Sequence, residues 1–174
     1  MMDNIEKKSL IKMTLPIILV VVMLLDGQIS NNLRLLTDNT IYFNSHLLLL
    51  GLILASLHFS KRYMMILSVC VGILFDVYYY SLVGINMVSL PLTVLLIYMV
   101  FKYIEPSIVS ISISLVVFIT IMDTSAYMLP VVFKLINGNI FEFIAKNLGP
   151  TLLFNVVMFL LLVYPLKKII TVTN

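Results

Sequence analysis

A bundle of membrane-spanning α-helices is the fold this sequence predicts, and three observations predict it. Hydrophobic residues make up 61% of the 174 and charged residues only 11%, with a mean hydropathy of +1.13, against roughly 45–50% apolar residues in a soluble domain. The apolar residues fall in six runs, each near the length a tilted helix needs to cross about 30 Å of hydrocarbon. The runs also lack the alternation of barrel strands, and a helix satisfies its own backbone groups where water cannot. Six spans leave short connections and no contiguous mixed-polarity stretch for a soluble catalytic or nucleotide-binding domain. The expected architecture is all-α, one integral membrane domain over residues 1–174.

The first span, residues 13–30, follows Lys7, Lys8 and Lys12. A basic start before an apolar run has the form of a signal peptide, but Leu24-Leu25-Asp26-Gly27-Gln28 lacks a small-x-small cleavage pattern, so a retained span is expected. The second, 41–59, ends at Lys61-Arg62. The third, 63–83, carries the single cysteine, Cys70, which can form no internal disulfide and reads as a small buried packing residue. Tyr78, Tyr79 and Tyr80 near its end read as an interfacial aromatic belt. Spans 87–103, 107–127 and 150–166 complete the set. With the N-terminus in the cytoplasm, eight basic residues gather at inner ends and three (Arg34, Lys134, Lys146) at outer ends, so both termini are expected inside. These charges sit in ones and twos at span ends and mark topology, not a nucleic-acid surface. The longest outer connection, 128–149, is unusually apolar and is split by Asn137-Gly138-Asn139. Glu142 and Lys146, four apart, predict a short amphipathic helix after that turn, a surface for interfacial packing or for a partner.

Three acids lie inside spans: Asp26, Asp76 and Asp123, fifty and forty-seven residues apart in spans one, three and five. Each follows two bulky apolar residues and precedes by four a hydroxyl side chain, Ser30, Tyr80 or Tyr127, as three hairpins of similar design would have. An Asp near the middle of a span costs about 2.5–3.5 kcal/mol on insertion scales, so all three are expected to face the bundle interior or a wet cavity, where they can converge. Their charge then calls for protonation, a hydroxyl or amide neighbour, or a cation such as Arg34 or Lys134. Gly72, Asp76, Tyr80 and Gly84 recur every four residues on one stripe, the glycines permitting close backbone approach. Ser110 with Ser114, Thr120 with Thr124, and Asn155 in the last span offer further hydrogen-bonding groups between helices. No histidine is expected beside the acids, and His46 and His58, twelve apart near opposite ends of span two, are too distant to share a metal. Structural glue, a partner or ligand contact, and proton or ion movement are the three roles open to the acids.

The stretch GILFDVYYYSLVGINMVSLPL resembles the signature of the rod shape-determining protein MreD family, in which a Gly, an intramembrane Asp and a later Leu/Val-Gly pair occur on one small polytopic chain. LLDGQIS and PTLLFNVVMFLLLVYPLKK look like the corresponding parts of Gram-positive-type members, and the likeness covers essentially the whole chain. Carried over residue by residue it covers Gly72, Asp76, Gly84, Asp26 and Asn155, but not Asp123. The resemblance implies a non-enzymatic component of the cell-elongation machinery in the bacterial cytoplasmic membrane, without a cofactor. It would bind MreC and work alongside MreB filaments, the RodA glycosyltransferase and a class B penicillin-binding transpeptidase. A reading from another class is a substrate-binding membrane subunit of a vitamin or metal-ion importer, whose outer-half polar groups would line a pocket. An ion-coupled transporter is disfavoured, since neither a pair of short discontinuous spans nor a basic partner within a span is evident.

Overall fold

The computed structural model describes the backbone of residues 2–38, 40–80, 83–134, 136 and 138–171, with the side chains of 2–9, 80 and 163–171 outside the description. Seven α-helices follow one another among the described residues: α1 Met2–Leu36, α2 Leu47–His58, α3 Lys61–Phe75, α4 Ile85–Val100, α5 Ile108–Val132, α6 Ile140–Phe143 and α7 Gly149–Thr171. A π-helical turn, Asp76–Tyr80, extends α3, and a second, Ile144–Leu148, joins α6 to α7. The all-α expectation holds, and no strand occurs among the described residues.

Span lengths differ from those expected. Among the described residues, four helical stretches are long and apolar enough to cross a membrane: Leu10–Leu36, Lys61–Tyr79, Ile108–Val132 and Ile140–Leu162. The expected span at 41–59 becomes helical only at Leu47, and α2 has 12 residues, about 18 Å of rise. Helix α4 has 16. Helix α2 lies at the centre, whereas α4 keeps an exposed apolar face at Val88, Leu92 and Met99. Leu48, Leu52 and Ala55 of α2 pack into a core with Leu15, Leu19 and Met23 of α1, Met64, Leu67 and Val71 of α3, and Leu90 and Val94 of α4. The opposite face of α2, Leu49, Leu50 and Ile53, enters a second core with Ile97 of α4, Ile111, Leu115, Phe118 and Ile119 of α5, and Phe159 of α7. A helix apolar on all sides is one enclosed by other helices. The outer faces of α1, α5 and α7 expose large apolar residues such as Ile17, Ile113 and Leu161, as lipid contact requires. Cys70 is also exposed, which corrects its reading as a buried packing residue.

Helices α3 and α4 form the tightest hairpin, and Gly72 is the reason they approach so closely. A Cβ at Gly72 would sit 2.6 Å from the Asn86 carbonyl oxygen and 2.9 Å from Met87 Cα, both backbone atoms. Gly72→Ala is therefore expected to destabilise the chain by about 1–3 kcal/mol, the cost of forcing a packed backbone apart. Thermal unfolding in detergent measures this, and an unchanged Tm contradicts the close approach. Gly84 does not share that role. It precedes α4 rather than continuing the α3 stripe, a Cβ there would meet nothing within 4 Å, and its φ of +132° is what calls for glycine. The Tyr80 side chain lies outside the described residues, so the four-residue stripe reduces to Gly72 and Asp76.

Candidate functional site

A helix leaves its first N–H groups without intrahelical acceptors. At the starts of α2 and α4 the N-cap residues are His46 and Gly84, and neither supplies a side-chain cap. Both ends are capped instead by an aspartate from the preceding helical segment. Asp26, 3% exposed, accepts from Leu47 N (2.9 Å), Leu48 N (2.6 Å) and Ser45 Oγ. Asp76, wholly buried, accepts from Gly84 N (2.8 Å) and Met87 N (3.0 Å) on one oxygen, and from Asn86 N (2.8 Å) and Asn86 Nδ2 (3.0 Å) on the other. A carboxylate at this position also complements the positive end of the helix dipole. The first two hairpins thus share one device, and the third acid departs from it.

The non-helical segment 41–46 ahead of α2 is the part of the backbone that most needs partners, because irregular backbone at membrane depth is tolerated only inside protein or against a cavity. Four of its six amides have identified acceptors. Asn44 N donates to Thr151 Oγ1 (3.1 Å), Ser45 N to Ser30 Oγ (2.8 Å) and His46 N to Asn155 Oδ1 (2.8 Å). Asn155 Nδ2 in turn donates to the Asn44 carbonyl (2.7 Å). Tyr42 N donates to the Lys146 carbonyl (2.8 Å), and the sequence explains why that carbonyl is free. Four residues on stands Pro150, which has no N–H to return, and the π-helical turn makes room for its ring. The expected amphipathic helix after the 137–139 turn is thus real but is not separate: Asn139 caps it, Glu142 pairs with Lys146 at 2.6 Å, and it runs on into α7. Asn137 itself lies outside the described residues.

Around segment 41–46 lies a cavity of about 590 Å³. Asp26 and Asp123 both line it, whereas Asp76 does not, so two of the three acids converge. His46 stands between them. Its Nε2 lies 3.0 Å from Asp123 Oδ1, both residues being 7% exposed, which overturns the expectation that no histidine neighbours the acids. The spacing along the chain hides this pair, because the N-cap of α2 comes against α5 only once the bundle is closed. Asp123 Oδ2 and Tyr127 Oη are buried with no hydrogen-bond partner among the described residues. Tyr127 stacks on Phe143 with ring centroids 4.2 Å apart, so α6 covers this part of the cavity. Arg34 also lines it, with Nη2 donating to Asn31 Oδ1 (3.1 Å). Lys134 is exposed, with φ of +55°.

Other groups fell differently from their spacing. Ser110 closes a capping box with Ser107 at the start of α5, and Thr120 bonds its own helix at Val116 O. The hydroxyl contact between α4 and α5 is Ser125 with Ser89, at 3.3 Å. Gly27 went unremarked, yet a Cβ there would come 1.8 Å from Tyr79 Oη, so this glycine admits Tyr79 against α1. Tyr79 consequently packs inward on Phe75, whereas Tyr78 is exposed.

Two short apolar helices held at their starts by buried carboxylates and packed against longer apolar helices define a multi-helix membrane protein. Among the described residues no group of three His, Cys, Asp or Glu is placed to hold a metal ion. The family model for rod shape-determining protein MreD matches residues 7–172, and the chain belongs to that family. Its role is accordingly in rod shape determination, in a family of structural shape-determining proteins. No match was found among curated proteins or among solved structures.

Proposed function

We propose that the chain is a scaffold of the cell-elongation machinery in the cytoplasmic membrane, of the Gram-positive type, which docks MreC and the wall synthases through contacts in and just outside the bilayer. The chain passes the membrane six times in this reading, α2 and α4 being two of the passes, with the non-helical segment 41–46 completing that of α2 and both termini cytoplasmic. The observation that carries it is the outer segment 133–148. Its inner side is anchored, with Phe143 stacked on Tyr127 and Lys146 O held by Tyr42 N. Its outer side exposes Phe133 at 71% and Phe141 at 81%, with Ile136, Ile140 and Ile144 also exposed. An apolar ridge held rigid from beneath costs little conformational entropy on binding, which suits a docking surface.

Single cysteines in a Cys70→Ser background test the surface by crosslinking to MreC. Ile136 and Phe141 are suitable positions. Val83, 57% exposed, serves better than Gly84, whose positive φ strains any side chain. Adducts are expected from Phe141 first and Val83 last. Absence of adducts from all three, in membranes where the two proteins still copurify, would sink this assignment of the docking surface.

A further inference from the structure

The cavity at the start of α2 holds more polar capacity than the fold uses. Asp26 is committed: both of its oxygens accept donors from residues 45–48. Asp123 is not. One oxygen faces His46, and the other is buried without a partner among the described residues, as is the neighbouring Tyr127 hydroxyl. Buried polar atoms of folded proteins nearly always have partners, and a carboxylate oxygen is the costliest to leave without one. A cationic donor is the partner such an oxygen selects. Elsewhere on the same wall stands Arg34, in the last turn of α1. Its guanidinium has five donor hydrogens and is recorded donating to Asn31, leaving capacity for an anion. Phe43, Phe75 and Tyr79 also line this cavity, and about 590 Å³ is the size of a small-molecule site. The end of an apolar span is also the depth at which lipid head groups sit.

We propose that this cavity binds an aminoalkyl phosphate, free or as a lipid head group, with its ammonium on Asp123 and its phosphate on Arg34. The proposal is independent of the scaffold reading, since it concerns the cavity lined by Asp123 and Arg34 and not the exposed face of the 133–148 segment. Phosphoethanolamine is the probe. The full chain in nanodiscs of phosphatidylglycerol is dialysed against radiolabelled phosphoethanolamine, with ethanolamine and glycerol 3-phosphate as competitors that each carry half of the recognition. Saturable binding is expected, weakened about tenfold or more by Asp123→Asn and by Arg34→Gln, with both half-ligands competing about tenfold less well, as loss of one charged hydrogen bond dictates. In nanodiscs containing phosphatidylethanolamine, lipid retained through delipidation by the native chain but not by Asp123→Asn assigns the site to the head group. Binding of the free probe without retained lipid assigns it to a solute. Should Asp123→Asn fail to fold, Arg34→Gln, an exposed side chain, carries the comparison. Neither saturable probe binding nor retained lipid, or either one undiminished in Arg34→Gln, overturns the proposal.

Discussion

Asp76→Leu is expected to destabilise the folded chain by on the order of 3 kcal/mol or more. The substitution leaves the N–H groups of Gly84, Asn86 and Met87 and the Asn86 side-chain amide without the acceptors they have now. A buried donor stripped of its partner costs about 1–3 kcal/mol, and four sharing one carboxylate lose them together, so the sum is less than additive. Relaxation is restricted at this point because Gly72 brings α3 against the same backbone. Asp76→Asn separates charge from hydrogen bonding: it keeps one acceptor oxygen where two now serve four donors, and its NH₂ faces two of those donors. An intermediate loss is expected, not full rescue. Unfolding in detergent gives the order, native above Asn above Leu. Hydrogen exchange should localise the change to residues 84–87. Coincident melting of the native chain and Asp76→Leu would contradict the capping role.

Asp26→Leu is expected to have the next largest effect, about 2–4 kcal/mol, by the same loss at the start of α2. Three donors lose their acceptor here rather than four, and segment 41–46 keeps its anchors to Ser30, Thr151 and Asn155. The response should therefore be more local. Amide exchange at Leu47 and Leu48 is expected to accelerate strongly while α3 and α4 retain native protection. Uniform acceleration across all helices would show instead that Asp26 supports the whole bundle. The comparison also bears on rod shape, because α2 contributes to both cores and a loosened α2 reaches every helix packed on it. Cells carrying Asp26→Leu should lose rod shape in proportion to the loss of folded chain. Loss of shape with normal levels of a folded protein would point to the cavity.

The two carboxylates show how far a sequence can be read. That Asp26 and Asp76 are buried was legible, because an acid in a long apolar run has few other places to go. Their partners were not, since the donors are main-chain amides that every residue but proline carries. A lack of Ser, Thr, Asp or Asn immediately before Leu47 and Ile85 was the available signal, for it implies a cap supplied from elsewhere. The expected three-acid convergence failed at Asp76 because four donors within eleven residues hold it at its own hairpin. Asp123 had no comparable local partner and found His46 instead.

What the sequence by itself determined is the class: apolar runs of span length predict helices because intrahelical hydrogen bonding is local and the hydrocarbon thickness is a fixed external length. It also carried the family, through GILFDVYYYSLVGIN and its companions along the chain, and the family model covering residues 7–172 agrees. Only the tertiary structure decided that α2 and α4 are short and that α2 is central, that Gly72 serves close approach while Gly84 serves a turn, and that His46 meets Asp123 on the wall of a cavity. These depend on which helix lies against which. In a chain where nearly every face is apolar, hydrophobic periodicity distinguishes neighbours poorly, and a few buried polar groups, satisfied at distances of about 3 Å, select one arrangement of the bundle.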